Sequence, residues 1–157
     1  MAVIGGGAPP PGDLDAAFTV GRRLAALGAT VVCGGLGGVM EAACRGARSA
    51  GGLTVGLVPG SSPADANRWV DVVIPTGLGE MRNALVVASA AAVVAVGGEY
   101  GTLSEIALAL RSGKPVVGYR TWSLTRPAGG PDGGITVVDD PASAAELAVA
   151  LATGGRG

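Results

Sequence analysis

Ala92-Val93-Val94-Ala95-Val96-Gly97-Gly98-Glu99-Tyr100-Gly101-Thr102-Leu103-Ser104-Glu105 decides the fold, because an apolar run passes through a glycine turn into a helical pattern. Five apolar residues closed by glycine predict a strand buried on both faces, Ala92–Val96, followed by a helix over Thr102–Ser112. The same unit occurs twice upstream. Val3–Gly5 runs into Gly5-Gly6-Gly7, and Thr30–Cys33 into Gly34-Gly35-Leu36-Gly37-Gly38. Between them Leu14, Phe18, Gly21, Leu24 and Leu27 recur every three or four residues, an amphipathic helix that stops at Gly28. A second helix is predicted from Gly38 to about Ala50. Further strands are expected at Thr54–Leu57, Asp71–Ile74, Val116–Gly118 and Ile135–Val138. Further helices are expected at Gly79–Ser89 and at Pro141–Ala152, the latter with Asp140 as N-cap, and Ser62-Pro63 opens a shorter one. Strands alternating with helices specify an α/β fold, a doubly wound Rossmann-like parallel sheet of about seven strands with helices on both faces. One domain, residues 1–153, is expected, with 154–157 as a flexible tail and the Gly/Pro-rich stretch Tyr119–Gly134 as a flap.

Composition narrows the chemistry. Of 157 residues 48% are hydrophobic and only 3% aromatic, so the core is built from Ala, Val, Leu and Ile rather than rings. Eleven basic against twelve acidic residues give a net charge of -1, no footprint for a nucleic-acid backbone or an anionic membrane. The longest uncharged run, Asn83 to Gly98, is short for a membrane span and reads as a buried helix followed by a buried strand. With no histidine, Ser-His-Asp and Cys-His catalysis are excluded, and acid–base chemistry falls to carboxylates. Cys33 and Cys44, without a CxxC motif, read as buried, reduced thiols of a cytoplasmic protein. No metal site is indicated.

In an open parallel sheet the three glycine turns fall on one carboxyl edge, where such folds bind ligands. Each turn can offer backbone N–H groups and the positive end of a helix to an anion, so a phosphorylated small molecule is the expected partner. Glycines that merely permit tight turns and close packing are the alternative. GxxxxGK[ST] is absent, and the only lysine, Lys114, precedes a strand, so a P-loop is excluded. The first turn is not GxGxxG and the second strand ends at Cys33 instead of an acid, which disfavours a dinucleotide.

Gly34-Gly35-Leu36-Gly37-Gly38-Val39-Met40-Glu41, then Arg82-Asn83, then Gly97-Gly98-Glu99-Tyr100-Gly101-Thr102-Leu103-Ser104-Glu105 resemble the ordered signature of LOG-like Rossmann-type proteins. That family, long called putative lysine decarboxylases, includes cytokinin riboside 5'-monophosphate phosphoribohydrolases and, on a nearby branch, molybdenum cofactor carrier proteins. Its enzymes typically carry Arg-Lys and Pro-Gly-Gly-x-Gly-Thr-x-x-Glu, whereas here Asn83 stands at the Lys place, Gly97 at the Pro place and Glu99 at the second Gly. The resemblance implies a nucleotide-binding homo-oligomer whose main activity would be phosphoribohydrolysis of a nucleoside 5'-monophosphate, without metal or redox cofactor. The alternative it implies is a non-catalytic carrier of a phosphorylated cofactor. Lysine decarboxylation would recruit a Schiff-base lysine, and Lys114 lies on the wrong edge.

Arg82 and Glu105 carry catalysis in the first reading: Arg82 as a forked donor to phosphate or leaving base, Glu105 stabilising the cationic sugar as the N-glycosidic bond breaks. Gly6, Gly7, Gly35, Gly37, Gly38, Glu41, Gly98, Tyr100, Gly101 and Thr102 are the expected ligand contacts. Plainer alternatives stand beside these. Thr102-Leu103-Ser104-Glu105 is also a capping box, Arg82 could pair with Glu80, and Glu41 with Arg45 at i+4. The residues from Met81 to Ser89 are apolar nearly all round and are expected to meet a second subunit.

Overall fold

The computed structural model describes residues 1–154. Seven strands, β1 (Ala2–Gly5), β2 (Val31–Cys33), β3 (Thr54–Val58), β4 (Val72–Pro75), β5 (Val93–Val96), β6 (Val116–Tyr119) and β7 (Ile135–Val137), form one sheet in the order β4-β3-β2-β1-β5-β6-β7. Every pairing is parallel. The helices are α1 (Pro11–Ala26), α2 (Val39–Ser49), α3 (Asn83–Ala88), α4 (Tyr100–Arg111) and α5 (Pro141–Gly154), with 3₁₀ turns at Pro63–Asp65 and Gly79–Arg82. The winding reverses at β1, which lies between β2 and β5, so the carboxyl ends of β1 and β5 flank the crevice that such a reversal opens.

Alternation along the strands divides the core. Val3, Val31, Val94, Val96 and Val117 pack with α1, α2 and α5 on one face of the sheet. Ala2, Ile4, Val32, Val93, Ala95 and Val116 pack with α3 and α4 on the other. Small side chains let the layers approach closely. A Cβ at Gly21 would collide with the Ala43 carbonyl of α2, and one at Gly46 with the Phe18 carbonyl of α1, so the two helices touch backbone to backbone through reciprocal glycines.

Three local expectations change. The helix expected over Gly79–Ser89 splits, because its first residues wind as a 3₁₀ turn and only Asn83–Ala88 is α-helical. The fourth helix begins at Tyr100, so Thr102 lies inside the first turn and the capping box does not form; the N-cap is Glu99, without a side-chain cap. Gly154 closes α5, while 155–157 of the expected tail lie outside the described residues. The expected cap on α5 is present, with Ser143 N–H donating to Asp140 Oδ2 at 2.7 Å. Among the described residues no helix is long and apolar enough to cross a membrane.

The reciprocal glycine contact is testable. Gly46→Ala is expected to cost about 1–3 kcal/mol by overpacking, read as a lower denaturation midpoint. Gly101→Ala, with nothing within 4 Å of the added methyl, leaves stability unchanged or raises it.

Candidate functional site

A cleft of about 380 Å³ opens at the carboxyl edge of β1 and β5. Gly5, Gly6 and Gly7 form its floor, Leu36, Met40 and Pro59 an apolar wall, and Glu80, Arg82, Asn83, Glu99, Gly101, Thr102 and Glu105 its polar rim and depth.

Arg82 ends the 3₁₀ turn after β4, and its side chain is 8% exposed. The guanidinium lies on the backbone of Gly34, occupying space a side chain there would need: an added Cβ would stand 2.5 Å from Nη2 and 2.6 Å from Nη1. Nη1 donates to Asn83 Oδ1 at 2.6 Å and lies 3.9 Å from Glu105 Oε1. The buried Nε has no hydrogen-bond partner. A buried guanidinium N–H without an acceptor is costly to the fold. No ion pair with Glu80 forms; Glu105 is the carboxylate within ion-pair range.

Glu105, one turn into α4, is buried beside it. Burial pushes its carboxyl up to about 7, Arg82 opposing the rise. Burial also pulls Arg82 down, with Glu105 opposing, but a guanidinium stays charged at neutral pH. Behind them, Cys33 and Cys44 are buried, free thiols whose Sγ atoms lie 3.5 Å apart. Bonding to Cys33 and burial push the Cys44 thiol far up, so it keeps its proton.

The expected contacts separate into groups. Gly6, Gly7, Arg82, Gly101, Thr102 and Glu105 share the cleft. Gly38 and Glu41 line a neighbouring cleft of about 360 Å³ that meets the first at Gly7. Gly98 borders a shallow recess with Arg120 and Trp122. Gly35 and Gly37 line none of these. Gly35 instead packs its φ of 75° backbone against Val58, and its carbonyl accepts from the Asn67 backbone N–H at 2.8 Å. Gly38 permits close loop packing: a Cβ there would strike the carbonyls of Gly6 and Gly7. Tyr100 is 81% exposed and tilts toward Trp122, centroids 5.7 Å apart, away from the cleft. Glu41 and Arg45 form no ion pair; Arg45 lies over the Phe18 ring at 5.2 Å.

Residues not expected as contacts also line the cleft. Glu80 stands two positions before Arg82, Leu36 and Met40 flank the second glycine turn, and Glu99 and Asn83 sit where the LOG-like signature is altered. Their signal was proximity to the motifs.

A family model described as SLOG cluster4 matches residues 1–145. An uncharacterized protein of Archaeoglobus fulgidus is 42% identical over 120 residues, covering 76% of this chain and 79% of that one. The molybdenum cofactor binding protein from Rippkaea orientalis superposes with a TM-score of 0.85 at 34% identity, covering 95% of this chain and 94% of that one. The molybdenum cofactor carrier protein from Chlamydomonas reinhardtii superposes with a TM-score of 0.82 at 33% identity, covering 97% and 96%.

Glu105 makes stability pH-dependent. The folded state keeps its proton up to about 7, whereas the unfolded chain releases it near the ordinary value of 4.5. Stability is therefore full below about 4.5 and falls as pH rises to about 7, by about 3 kcal/mol in all. Guanidinium denaturation is expected to show Glu105→Gln more stable than wild type at pH 8, with the difference gone at pH 4. A constant difference across that range would refute the assignment.

Proposed function

The chain belongs to the SLOG cluster4 family, and from that premise we propose that it binds and carries a phosphorylated cofactor of the molybdenum cofactor type. The observation that carries this reading is the likeness, over nearly the whole chain and above 30% identity, to proteins that bind or carry that cofactor. Phosphoribohydrolysis, the first expectation from sequence, has less support. It needs a carboxylate ionised beside a developing sugar cation. A Glu105 held near 7 is ionised only in part at neutral pH. The Arg-Lys and Pro-Gly-Gly features of the enzymes are also altered, at Asn83, Gly97 and Glu99.

For a carrier the task is retention. Arg82, packed on Gly34 and bonded to Asn83, lines the cleft with its guanidinium already ordered. Leu36, Met40 and Pro59 exclude water from one side of the cargo. Gly6 and Gly7 let it approach the backbone at the reversal of the sheet. A homo-oligomer belongs to the same proposal, with the exposed Met81 and Leu85 as its contact.

The protein, incubated anaerobically with molybdenum cofactor released from a molybdoenzyme and then gel-filtered, is expected to retain pterin and molybdenum together. Arg82→Ala should bind at least tenfold more weakly, as for loss of a charged hydrogen bond. Retention of neither, with free base released from a nucleoside 5'-monophosphate by wild type but not by Arg82→Ala or Glu105→Ala, would establish the hydrolase instead.

A further inference from the structure

The charge in the cleft is of the wrong sign for a phosphate. Glu80 and Glu99, with Glu105 ionised only in part, line it against the single guanidinium of Arg82. Glu99 stands at the N-cap of α4, and its side chain reaches back over the turn after β1, with Oε1 3.1 Å and Cδ 3.5 Å from where a Gly6 Cβ would lie. The carboxylate thus sits over Gly6 and next to the start of α4, so an anion approaching that glycine turn or the positive end of the helix meets a negative charge. A phosphate dianion placed there would face like charge on two sides with one cation to offset it.

The remaining features describe a different occupant. Leu36, Met40 and Pro59 give an apolar wall against which a flat ring can lie, Met40 supplying a thioether. A carboxylate offers only acceptors, and the Arg82 guanidinium lining the same cleft supplies donors. The complementary edge is an uncharged heterocycle with an exocyclic amino group and a ring N–H beside a carbonyl oxygen. A volume of about 380 Å³ lies within the range that takes a small ligand or one end of a larger one.

We propose that the cleft takes the amino-oxo heterocyclic end of the phosphorylated ligand, a ring of pterin or guanine type, with Glu99 as the specificity-determining residue and the phosphate end left outside. Glu99 accepts from the amino group and ring N–H, and the Arg82 guanidinium donates to the ring oxygen. This rests on the carrier reading and sets the direction in which the cargo is held.

Calorimetric titration of the full chain at pH 7 with pterin, with lumazine, which carries an oxygen in place of the amino group, and with inorganic phosphate tests the proposal. Pterin is expected to bind, lumazine at least tenfold more weakly, and millimolar phosphate is expected not to compete. Glu99→Ala should weaken pterin at least tenfold with an unchanged melting temperature, since Glu99 is exposed, and Glu99→Gln should fall between. The proposal is overturned by phosphate competing with pterin in the wild type, by equal binding of pterin and lumazine, by Glu99→Ala leaving pterin affinity unchanged, or by no binding of pterin. If intact molybdenum cofactor is still retained in any of those cases, the carrier reading stands and only the orientation falls.

Discussion

Arg82 lies on the bare backbone of Gly34, in space that any side chain at that position would occupy. Much of the site's geometry depends on this contact. It joins the end of the turn after β4 to the glycine turn after β2 across the sheet edge. It also brings a guanidinium, 8% exposed, within 3.9 Å of a carboxyl on α4. The same burial that strips water from Arg82 strips it from Glu105 and raises its pKa. Since Arg82 opposes that rise without cancelling it, desolvation outweighs the attraction of the pair, as a separation beyond hydrogen-bond contact allows.

The layered architecture was open to sequence reasoning because the strands are short, Val-rich apolar runs, three of them leading into glycine turns. Val93–Val96 and Val31–Cys33 fall within a residue of where their apolar runs end. Asp140 and Pro141 marked the start of α5 for a local reason, since a cap and a proline at N1 act within one turn. The α4 start failed for the complementary reason. Thr-x-x-Glu has the spacing of a capping box, but tertiary packing turns both side chains inward: Thr102 is 3% exposed and Glu105 7%. Burial against the sheet took precedence over a local bond worth about 1 kcal/mol.

The glycines show where sequence runs out. Gly35, Gly38, Gly97 and Gly98 all occupy signature positions and all adopt positive φ. Only their neighbours distinguish their roles. Gly38 admits the carbonyls of Gly6 and Gly7, Gly97 admits the buried Asp13 carboxylate, and Gly98 admits Thr102, so these glycines pack protein against protein. Gly6 and Gly7 face the cleft. A motif records that no side chain fits, and the fold decides whether the freed space holds protein or ligand. Glu99 is the converse case: its side chain crosses to a residue 93 positions earlier, a contact no local spacing encodes.

The turn that carries Glu99 is braced from its far side. Thr121 Oγ1 donates to the Gly97 carbonyl at 2.5 Å, and Trp122 Nε1 donates to the Glu99 carbonyl at 3.3 Å. The stretch after β6, expected as a loose flap, is therefore tied at its start to the turn after β5. Leu103 N–H also donates to the Glu99 carbonyl, at 3.0 Å, which fixes the first turn of α4. With its backbone held on both sides, Glu99 can vary its position mainly through its own side-chain torsions. The backbone share of the cost of ordering Glu99 is met in the fold itself, which leaves only its side-chain torsions to be fixed by any group that binds it.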